Sequence, residues 1–457
     1  LIIIVVLGIF IYRKSLLKQP IIMLSLIVLF FGQQIMMTHD SRQRTIDPYS
    51  TTINTLSDPS YYNDTIAKKI DSIKEHHDDP FHRIDYMSAY ALNSPFLYHY
   101  NGISLYSSIF DGGILKYYDK LMQINMPVDK NSTYRFLGNR ANLTALWNVQ
   151  DRLRHPEDQN MTYGFEKKDT ILNGKNTLIH SKNMIDYPSA HVTNHIYNSD
   201  DLKSPLDREQ AMLKGIVLND NSEKANTSFK ANKNLLNKSK MSTKDATWKN
   251  QNHLKVHKDN GGVTLKLPES VANQYKDMYV EMDVELLSPD KAHSVGVNEY
   301  SQNRNELSYK YRRLVTPVTM RVKASDKLNI HLSKGNYRLS VKGIYGEDYS
   351  TLKKASKELT PVKVKDMRNG YVVKKPKNAT GYVILPTVYA NGMHAKVDGK
   401  EVPVHQANGI MTAIPVNKGD KVIKLTYTPP QFYLLTIMSF IGVIGSILFN
   451  LWVKKKR

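Results

Sequence analysis

Residues 433–453 read YLLTIMSFIGVIGSILFNLWV, and this run determines the class of the fold. It carries no charged side chain, and as a helix rising about 1.5 Å per residue it would be about 31 Å long, close to the thickness of a bilayer core. Residues 20–37 form a second apolar run of about 27 Å, while residues 1–12 reach only about 18 Å. Long uncharged runs are typical of membrane spans, with buried core helices as the alternative. We therefore expect two complete spans and the end of a third.

Short basic segments set the expected orientation. Arg13, Lys14 and Lys18 lie between the first two apolar runs, and residues 454–457 are all basic. Because short loops rich in Lys and Arg stay in the cytoplasm, residues 38–432 should lie outside the cell. No basic segment precedes residue 1, as a signal peptide would require, so we expect the chain to begin within a longer, polytopic protein.

The composition restricts the chemistry and the partners of the chain. Cysteine is absent from its 457 residues, which excludes disulfides, thiolate zinc sites and cysteine nucleophiles. The mean hydropathy of −0.43 predicts that most of the chain is water-soluble. Lys and Arg number 63 against 42 Asp and Glu, which gives a net charge of +21. This charge could attract a polyanion, such as anionic lipid or a phosphate-rich wall polymer; the alternative is that it serves solubility alone. A location outside the cell argues against nucleic acid as a partner.

Residues 38–262 carry mixed signals and are predicted to form an α/β domain. Helical spacing occurs in residues 61–74 and 114–123, and strand-like alternation in residues 81–87. Residues 219–257 are rich in Asn, Lys and Ser, which predicts a mobile connection or a long surface insertion. We place a domain boundary near Gly262.

From residue 263 the pattern changes to short runs in which apolar and polar residues alternate. Such runs, separated by turn residues, predict a β-sandwich over residues 263–432. The predicted strands are 278–287, 315–322, 337–344, 370–374, 381–385, 393–397, 411–416 and 421–427. A Lys-Gly pair, containing Gly335 or Gly419, occurs twice between two such runs and predicts a hairpin turn with positive φ at the glycine. Two related sheets or two ordinary hairpins would explain the repetition.

The expected fold is an α+β extracytoplasmic region with a C-terminal β-sandwich, flanked by transmembrane helices. Its four parts are residues 1–37 with two membrane helices, 38–262, 263–432, and 433–457 with a membrane helix and a basic cytoplasmic tail.

An ordered set of short motifs resembles the YfhO family of large bacterial membrane proteins. The motifs are FHRI (81–84), NGISLYSS (101–108), REQAML (208–213), GYVILP (381–386), KVDGK (396–400), NGIM (408–411) and YTPP (427–430). The resemblance extends from the second apolar run to the end of the chain.

This resemblance implies a multi-pass GT-C-type glycosyltransferase of the bacterial cell membrane. Such an enzyme takes a sugar from an undecaprenyl-phosphate carrier and transfers it outside the cell, here to a cell-wall polymer such as lipoteichoic acid. The implied partners are membrane lipid, a lipid-linked sugar donor and the anionic polymer, and no cofactor is expected. In GT-C enzymes the catalytic carboxylate lies on an early extracytoplasmic loop, which would precede residue 1. We therefore expect no catalytic residue in this chain, and we expect the chain to bind the acceptor.

Five polar residues in the FHRI and NGISLYSS motifs are candidates for contact with that substrate. They are Arg83, Asn101, Ser104, Tyr106 and Ser107. The Arg83 guanidinium can pair with a phosphate through two N–H groups, the other side chains can bind hydroxyl groups, and Tyr106 can stack on a sugar. The alternative is a hydrogen-bonded structural turn.

A cluster of His and Asp residues offers possible metal ligands. It consists of His76, His77, Asp78, Asp79 and His82. Adjacent residues seldom point at one centre, and no HExxH-like spacing is present. We therefore expect a solvated loop and no metal.

His39 and Asp40 follow the second apolar run at the outer membrane interface. A carboxylate at this position could act as a base on an acceptor hydroxyl. A polar helix end is the alternative.

Three functions remain open on the sequence. The first is the glycosyltransferase. The second is a non-catalytic, membrane-anchored protein that binds or scaffolds the envelope, and the third is a transporter of lipid-linked glycan. About ten further apolar spans upstream, with an acidic residue in the first external loop, would favour the enzyme.

Overall fold

The computed structural model describes residues 20–43, 61–87, 92–127, 129–158, 160–172, 177–218 and 223–455. The chain divides into two compact units, Leu1–Asp64 and Thr65–Arg457. In the first unit, helix α1 (Pro20–Ser41) confirms that the apolar run 20–37 is helical. Whether α1 crosses a membrane stays a prediction, and residues 1–12 and the basic residues that follow them lie outside the described part.

The second unit contains the remaining helices. They are α2 (Asp64–Glu75), α3 (Ser94–Leu97), α4 (Gly112–Leu115), α5 (Ala141–Leu146), α6 (Pro205–Lys214), α7 (Glu269–Ala272), α8 (Ser350–Glu358) and α9 (Phe432–Lys455). The helix predicted at 61–74 is confirmed by α2, because Ile66, Ile70 and Ile73 fall on one face and are buried. The helix predicted at 114–123 is confirmed by α4 together with the π-helical segment Lys116–Leu121 that follows it.

Helix α9 is the membrane candidate of the second unit. Among the described residues it is the one helix long and apolar enough to cross a membrane, over Phe432–Phe449. Its large apolar side chains are exposed, and Phe440 and Ile441 each show 64% of their surface. Uncovered apolar surface of this extent is unfavourable in water and is what a lipid-facing helix presents.

The first strands of the second unit form a small sheet and a two-stranded ribbon. They are β1 (Arg83–Tyr86), β2 (Leu105–Tyr106), β3 (Thr133–Tyr134), β4 (Val149–Arg154), β5 (Phe165–Ile171), β6 (Leu178–Asn183) and β7 (His191–Thr193). Strand β1 confirms the strand predicted at 81–87. The four-stranded sheet has the order β1-β4-β6-β5, with β1 parallel to β4 and the other pairs antiparallel.

The next ten strands form two five-stranded sheets. They are β8 (Lys240–Lys244), β9 (Ala246–Asn250), β10 (His253–Val256), β11 (Gly261–Lys266), β12 (Asp277–Ser288), β13 (His293–Val297), β14 (Tyr300–Arg304), β15 (Pro317–Lys323), β16 (Lys327–Leu332) and β17 (Gly335–Glu347). The sheet orders are β15-β12-β17-β10-β9 and β14-β13-β16-β11-β8. Both sheets contribute to one hydrophobic core, for example through Met282 of β12 and Ile330 of β16.

These strands bear on the predicted domain boundary. Gly262 lies inside β11, which pairs with β8 on one side and β16 on the other. The chain before and after Gly262 therefore belongs to one sheet. The segment 219–257 was predicted to be mobile or a surface insertion, yet it forms strands β8 to β10, and its residues 219–222 lie outside the described part.

The last strands form a second pair of five-stranded sheets. They are β18 (Thr360–Pro361), β19 (Lys363–Met367), β20 (Gly370–Lys374), β21 (Gly381–Val388), β22 (Met393–Val397), β23 (Lys400–Val402), β24 (His405–Ala407), β25 (Met411–Val416) and β26 (Val422–Tyr427). The orders are β18-β7-β21-β25-β24 and β19-β20-β26-β22-β23, and both sheets again contribute to one core. One sandwich was expected from residue 263, whereas the described strands form two pairs of sheets, and β7 joins the second pair from the earlier region.

The prediction of two Lys-Gly hairpins is wrong. Strands β16 and β17 flank Gly335, and strands β25 and β26 flank Gly419, but each of these two connections joins different sheets. Gly419 has the predicted positive φ of 97°. Gly335 does not, but its backbone lies close to its neighbours: a Cβ there would be 2.9 Å from Leu286 Cδ1 and 3.0 Å from Ser288 O. Alternation identifies strands but not their partners.

A third core joins the early region to the C-terminal sheets. It combines residues of the π-helical segment and α5, such as Tyr117 and Leu143, with Leu352 of α8 and Ile384 of β21. The small sheet that begins with β1 is therefore held against the C-terminal sheets as part of one compact unit.

Candidate functional site

Four ionisable side chains meet on one face of the small sheet, and we call them the His/Asp cluster: His77, His82, Asp151 and His180. His77 lies just after the end of α2, and His82 lies just before β1. Parallel pairing of β1 with β4 sets Ile84 opposite Asp151. On β4 and β6, Asp151 and His180 are diagonal neighbours, because Asp151 pairs with Lys182.

Asp151 is the centre of the cluster. Its Oδ2 lies 2.7 Å from His82 Nε2, and its Oδ1 lies 2.6 Å from His180 Nε2. His77 Nε2 is 3.5 Å from the same Oδ2. The Asp151 side chain is 2% exposed, so the hydrogen bonds from His82 and His180 take the place of water around its oxygens.

Electrostatics keep Asp151 ionised and His77 neutral. Burial opposes ionisation of Asp151, but hydrogen bonds from His180 and His82 outweigh it and hold the pKa of this carboxyl well below its ordinary value. Burial, and then the neighbouring His82, lower the pKa of His77 below 6.5. A carboxylate beside a neutral imidazole results.

The two loop histidines are arranged in parallel. The rings of His77 and His82 stack with their centroids 3.9 Å apart and an interplanar angle of 12°. One ligand atom from each ring and one from Asp151 lie within 4.8 Å of one another. The expectation of a solvated loop therefore fails for His82, which is 6% exposed, and the structure brings two of the five loop residues together with a carboxylate from a distant strand.

Two clefts open beside the cluster. The larger, which we call the lysine cleft, has a volume of about 880 Å³ and is lined by His77, His82 and residues that include Lys168, Lys182, Lys363 and Lys365. The smaller has a volume of about 610 Å³, and Phe96 and Asn101 line it together with the same two histidines. His77 and His82 thus form a wall shared by both clefts.

Arg83 contacts main-chain atoms in the structure. Its Nη1 donates to the carbonyl oxygen of Trp147 at 2.7 Å, and its Nη2 donates to that of Pro386 at 2.7 Å. The guanidinium also lies 5.3 Å from the centre of the Trp147 ring, and burial lowers the pKa of Arg83 to about 10. Arg83 therefore ties β1 to the C-terminal sheet, and phosphate binding by it stays a prediction.

Three of the other four predicted binding residues also hydrogen-bond to the main chain through their side chains. Asn101 Nδ2 donates to Pro80 O at 2.9 Å, and Ser104 Oγ donates to Leu92 O at 3.0 Å. Ser107 Oγ donates to Ile109 O at 2.7 Å.

The ring of Tyr106 is 42% exposed and available for stacking. Of the five predicted residues, Asn101 lines the smaller cleft, whereas Arg83, Ser104, Tyr106 and Ser107 line neither cleft. The side-chain hydrogen bonds of Asn101, Ser104 and Ser107 to main-chain oxygens are of the kind found in a structural turn.

His39 and Asp40 lie in the last turn of α1 and are exposed. They belong to the first compact unit, and a catalytic role for Asp40 stays a prediction.

The sequence comparisons assign the chain to a family. A family model described as "Bacterial membrane protein YfhO" matches residues 1–439. The chain belongs to the YfhO family. The uncharacterized protein YfhO of Bacillus subtilis (strain 168) is 30% identical over 414 residues, which cover 89% of this chain and 47% of that protein. The chain thus spans about half the length of this YfhO relative.

Solved structures give weaker matches to this YfhO-family chain. They include mycobacterial arabinofuranosyltransferase AftD, in a mutant R1389S class with 10% identity, a TM-score of 0.17 and coverage of 39% of this chain and 14% of that one. A second class of the same mutant has 11% identity, a TM-score of 0.16 and coverage of 41% and 15%. Similarity at these TM-scores supports no inference about fold or function.

The site also includes residues that sequence reasoning missed. Asp151 and His180 stand in ordinary strand runs, QDRLR and LIHSKN, and no local spacing links them to His77 and His82. A polar residue at an inward strand position was the available signal, since such residues need a buried partner. In this YfhO-family chain, Asp151 and His180 are each other's buried partners.

Proposed function

We propose that this chain is the acceptor-binding part of a membrane glycosyltransferase. The enzyme would transfer a sugar from an undecaprenyl-phosphate carrier to an anionic cell-wall polymer such as lipoteichoic acid. Membership of the YfhO family of bacterial membrane proteins is the observation that carries the proposal, since the family resemblance implies sugar transfer outside the cell. The catalytic carboxylate would belong to a part of the protein outside this chain.

The lysine cleft is the acceptor site that we favour. Lys168, Lys363 and Lys365 are exposed and Lys182 is half-buried around its volume of about 880 Å³, which is within the ~300–1,000 Å³ of typical ligand sites. The four lysines outnumber the three carboxylates that also line the cleft, Asp78, Asp79 and Asp186, and clustered lysines concentrate phosphate groups near a surface. The neutral side chains of Asn148 and Gln150, which also line the cleft, could bind sugar or glycerol hydroxyls.

The membrane arrangement completes the proposal. We place Thr65–Gln431 outside the cell and the basic end of α9 in the cytoplasm, following the positive-inside rule. The exposed apolar surface of α9 supports anchoring in lipid. The acceptor site would then lie on the side where the wall polymer is found.

Deletion of the gene tests the proposal. We expect lipoteichoic acid from the deletion strain to lose a sugar substituent and a plasmid copy to restore it. A polymer with unchanged sugar content would contradict sugar transfer and favour a binding or scaffolding protein. Lipid-linked sugar that accumulates on the cytoplasmic side would also contradict it, and would favour a transporter.

A pair of variants tests the lysine cleft. Lys363→Gln with Lys365→Gln removes two exposed charges from strand β19. If each contributes ~0.7 kcal/mol, sugar transfer at limiting acceptor should fall by about tenfold. Lys374→Gln with Lys377→Gln is the matched control, because both lysines are exposed and neither lines the cleft. Equal activity of the two double variants would exclude the lysine cleft as the acceptor site.

A further inference from the structure

We propose that His77, His82 and Asp151 bind one divalent transition-metal ion of the zinc class, with an open coordination position facing the lysine cleft. Metal binding is a property of the purified chain and does not depend on sugar transfer. The proposal can therefore fail while the proposed function stands, and the reverse also holds.

The three ligand atoms already have the spacing of a metal site. His77 Nε2 and His82 Nε2 lie 3.5 and 2.7 Å from Asp151 Oδ2. In a tetrahedral zinc site with bonds of about 2.0–2.2 Å, ligand atoms are about 3.3 Å apart. The observed distances lie on either side of this value. Because the two rings are nearly parallel, the His77 ring, which is part-exposed, must also rotate to point its Nε2 at the same ion as His82 Nε2.

The position of His77 favours an ion over a set of hydrogen bonds. His82 Nε2 already bonds to Asp151 Oδ2, and the stacked ring of His77 brings a second Nε2 towards the same oxygen at 3.5 Å. At this distance a hydrogen bond contributes little. Two imidazole nitrogens and one carboxylate oxygen are instead the ligand set of many zinc sites.

The charge states suit a cation. A metal ligand must be a neutral imidazole or an ionised carboxylate, and the site combines two imidazoles with one carboxylate whose side chain is 2% exposed. Asp79 adds a negative charge near His77, and Lys182 adds a positive one. Asp151 is the carboxylate closest to both imidazoles, so it provides the main attraction for a cation.

An outer layer of residues orients the carboxylate. His180 Nε2 bonds to Asp151 Oδ1, the oxygen that faces away from His77 and His82. His180 Nδ1 lies 3.4 Å from Asp169 Oδ2, which also accepts a hydrogen bond from Lys69 at 2.7 Å. Partners of this kind fix the orientation of a metal ligand. His180 is thus a positioning residue.

The remaining coordination position would be accessible. The His77 side chain is 20% exposed, and both His77 and His82 line the lysine cleft. Three protein ligands leave a fourth position of a tetrahedral ion for water or an anionic oxygen. A phosphate oxygen of a ligand in the cleft has the right chemistry for it.

Metal titration of the untagged, full chain in detergent tests the proposal. The chain is first dialysed against EDTA and then titrated with Zn²⁺. We expect one Zn²⁺ per chain to remain bound through gel filtration, as measured by mass spectrometry of the metal. Co²⁺ should bind at the same site and give visible absorption bands of a four- or five-coordinate ion, which Zn²⁺ then removes. Absence of stoichiometric Zn²⁺ and Co²⁺ binding would overturn the proposal.

Variants locate the ion. His180→Asn removes an outer-layer partner and should weaken Zn²⁺ binding by about 10–100-fold. His77→Asn removes a ligand and should weaken it by at least ~100-fold. His76→Asn is the matched control, because His76 is adjacent and exposed and bonds to Ser72 O at 2.6 Å outside the cluster. His77 is half-buried, so His77→Asn should fold, as circular dichroism can show, even if Asp151→Asn does not. Equal Zn²⁺ affinity in His76→Asn and His77→Asn would refute the site.

Discussion

His191 shows how one buried side chain makes the stability of the fold depend on pH. It is fully buried in β7, and Nδ1–H donates to Pro188 O at 2.9 Å, while Nε2 has no hydrogen-bond partner among the described residues. Burial therefore lowers the pKa of His191 to about 4. Protonation would place an unpaired N–H and a charge in the core.

The sign of the effect follows from proton binding. In the unfolded chain His191 binds a proton near pH 6.5, whereas in the folded chain it does not until about pH 4. Its contribution to stability is complete above pH 6.5 and is lost as the pH falls, by about 1.4 kcal/mol per pH unit. Chemical unfolding at pH 7 and pH 5, followed by tryptophan fluorescence, should therefore show a smaller loss in His191→Asn than in the wild type, by about 2 kcal/mol.

The control for this prediction is His155→Asn, since His155 is exposed. It should keep the pH dependence of the wild type. Identical pH dependence in His191→Asn and the wild type would show that His191 titrates normally.

Only part of the His/Asp cluster could be predicted from the sequence. His77 and His82 could be identified as possible ligands because they are close in sequence. Asp151 could not, because its neighbours Gln150 and Arg152 give no sign of what lies across the sheet. The parallel pairing of β1 with β4 creates the cluster, and pairing between distant strands is not encoded in any short window.

At the scale of elements, α6 depends on a cap that also binds a distant segment. Ser204 Oγ accepts from Asp207 N–H at 3.1 Å, and Asp207 Oδ2 accepts from Ser204 N–H at 3.0 Å, which is a capping box. Asp207 Oδ1 accepts from both N–H and Nδ2 of Asn232, at 2.8 and 2.7 Å. The carboxylate is fully buried, so it starts the helix and fixes the chain that leads into β8.

Asp207→Ala should therefore cost more than an ordinary cap. It leaves the buried main-chain N–H of Ser204 and the half-buried main-chain N–H of Asn232 without an acceptor, and we expect a loss of about 2–4 kcal/mol in the free energy of urea unfolding. Ser204→Ala should cost about 1 kcal/mol. Asp111→Ala is the control, since Asp111 is exposed and caps the short α4 through one bond to Gly113 N–H. If Asp207→Ala is no more destabilising than Asp111→Ala, the cap does not hold the two segments together.

Elements differ in how far the sequence could predict them. The helix α2 and the strand β12 follow from the spacing of their own apolar residues, because one face of each is buried. The partners of β16 and β25 could not be predicted from the sequence. The next strand along the chain shows the same alternation whether it pairs in the same sheet or belongs to another one. β7 has three residues, too few for a period to be recognised.

The net charge of +21 and the exposed apolar surface of α9 need two different environments. The charge requires water and attracts anions, while the apolar helix requires lipid. From the positive-inside rule we expect the two ends of α9 to lie on opposite sides of the membrane, with the sheets outside. This partition was predicted from the sequence, and the side on which the sheets lie stays a prediction.

The absence of cysteine makes the orientation directly measurable. Single variants Lys334→Cys and Lys418→Cys place a thiol at exposed positions of the two pairs of sheets, and Lys455→Cys places one at the end of α9. On intact protoplasts a membrane-impermeant maleimide should label the first two fully and the third only after permeabilisation, because a charged reagent does not cross the hydrocarbon core. The cysteine-free chain gives the background. Labelling of Lys455→Cys on intact protoplasts, with Lys334→Cys and Lys418→Cys protected, would reverse the topology and remove the basis for sugar transfer outside the cell.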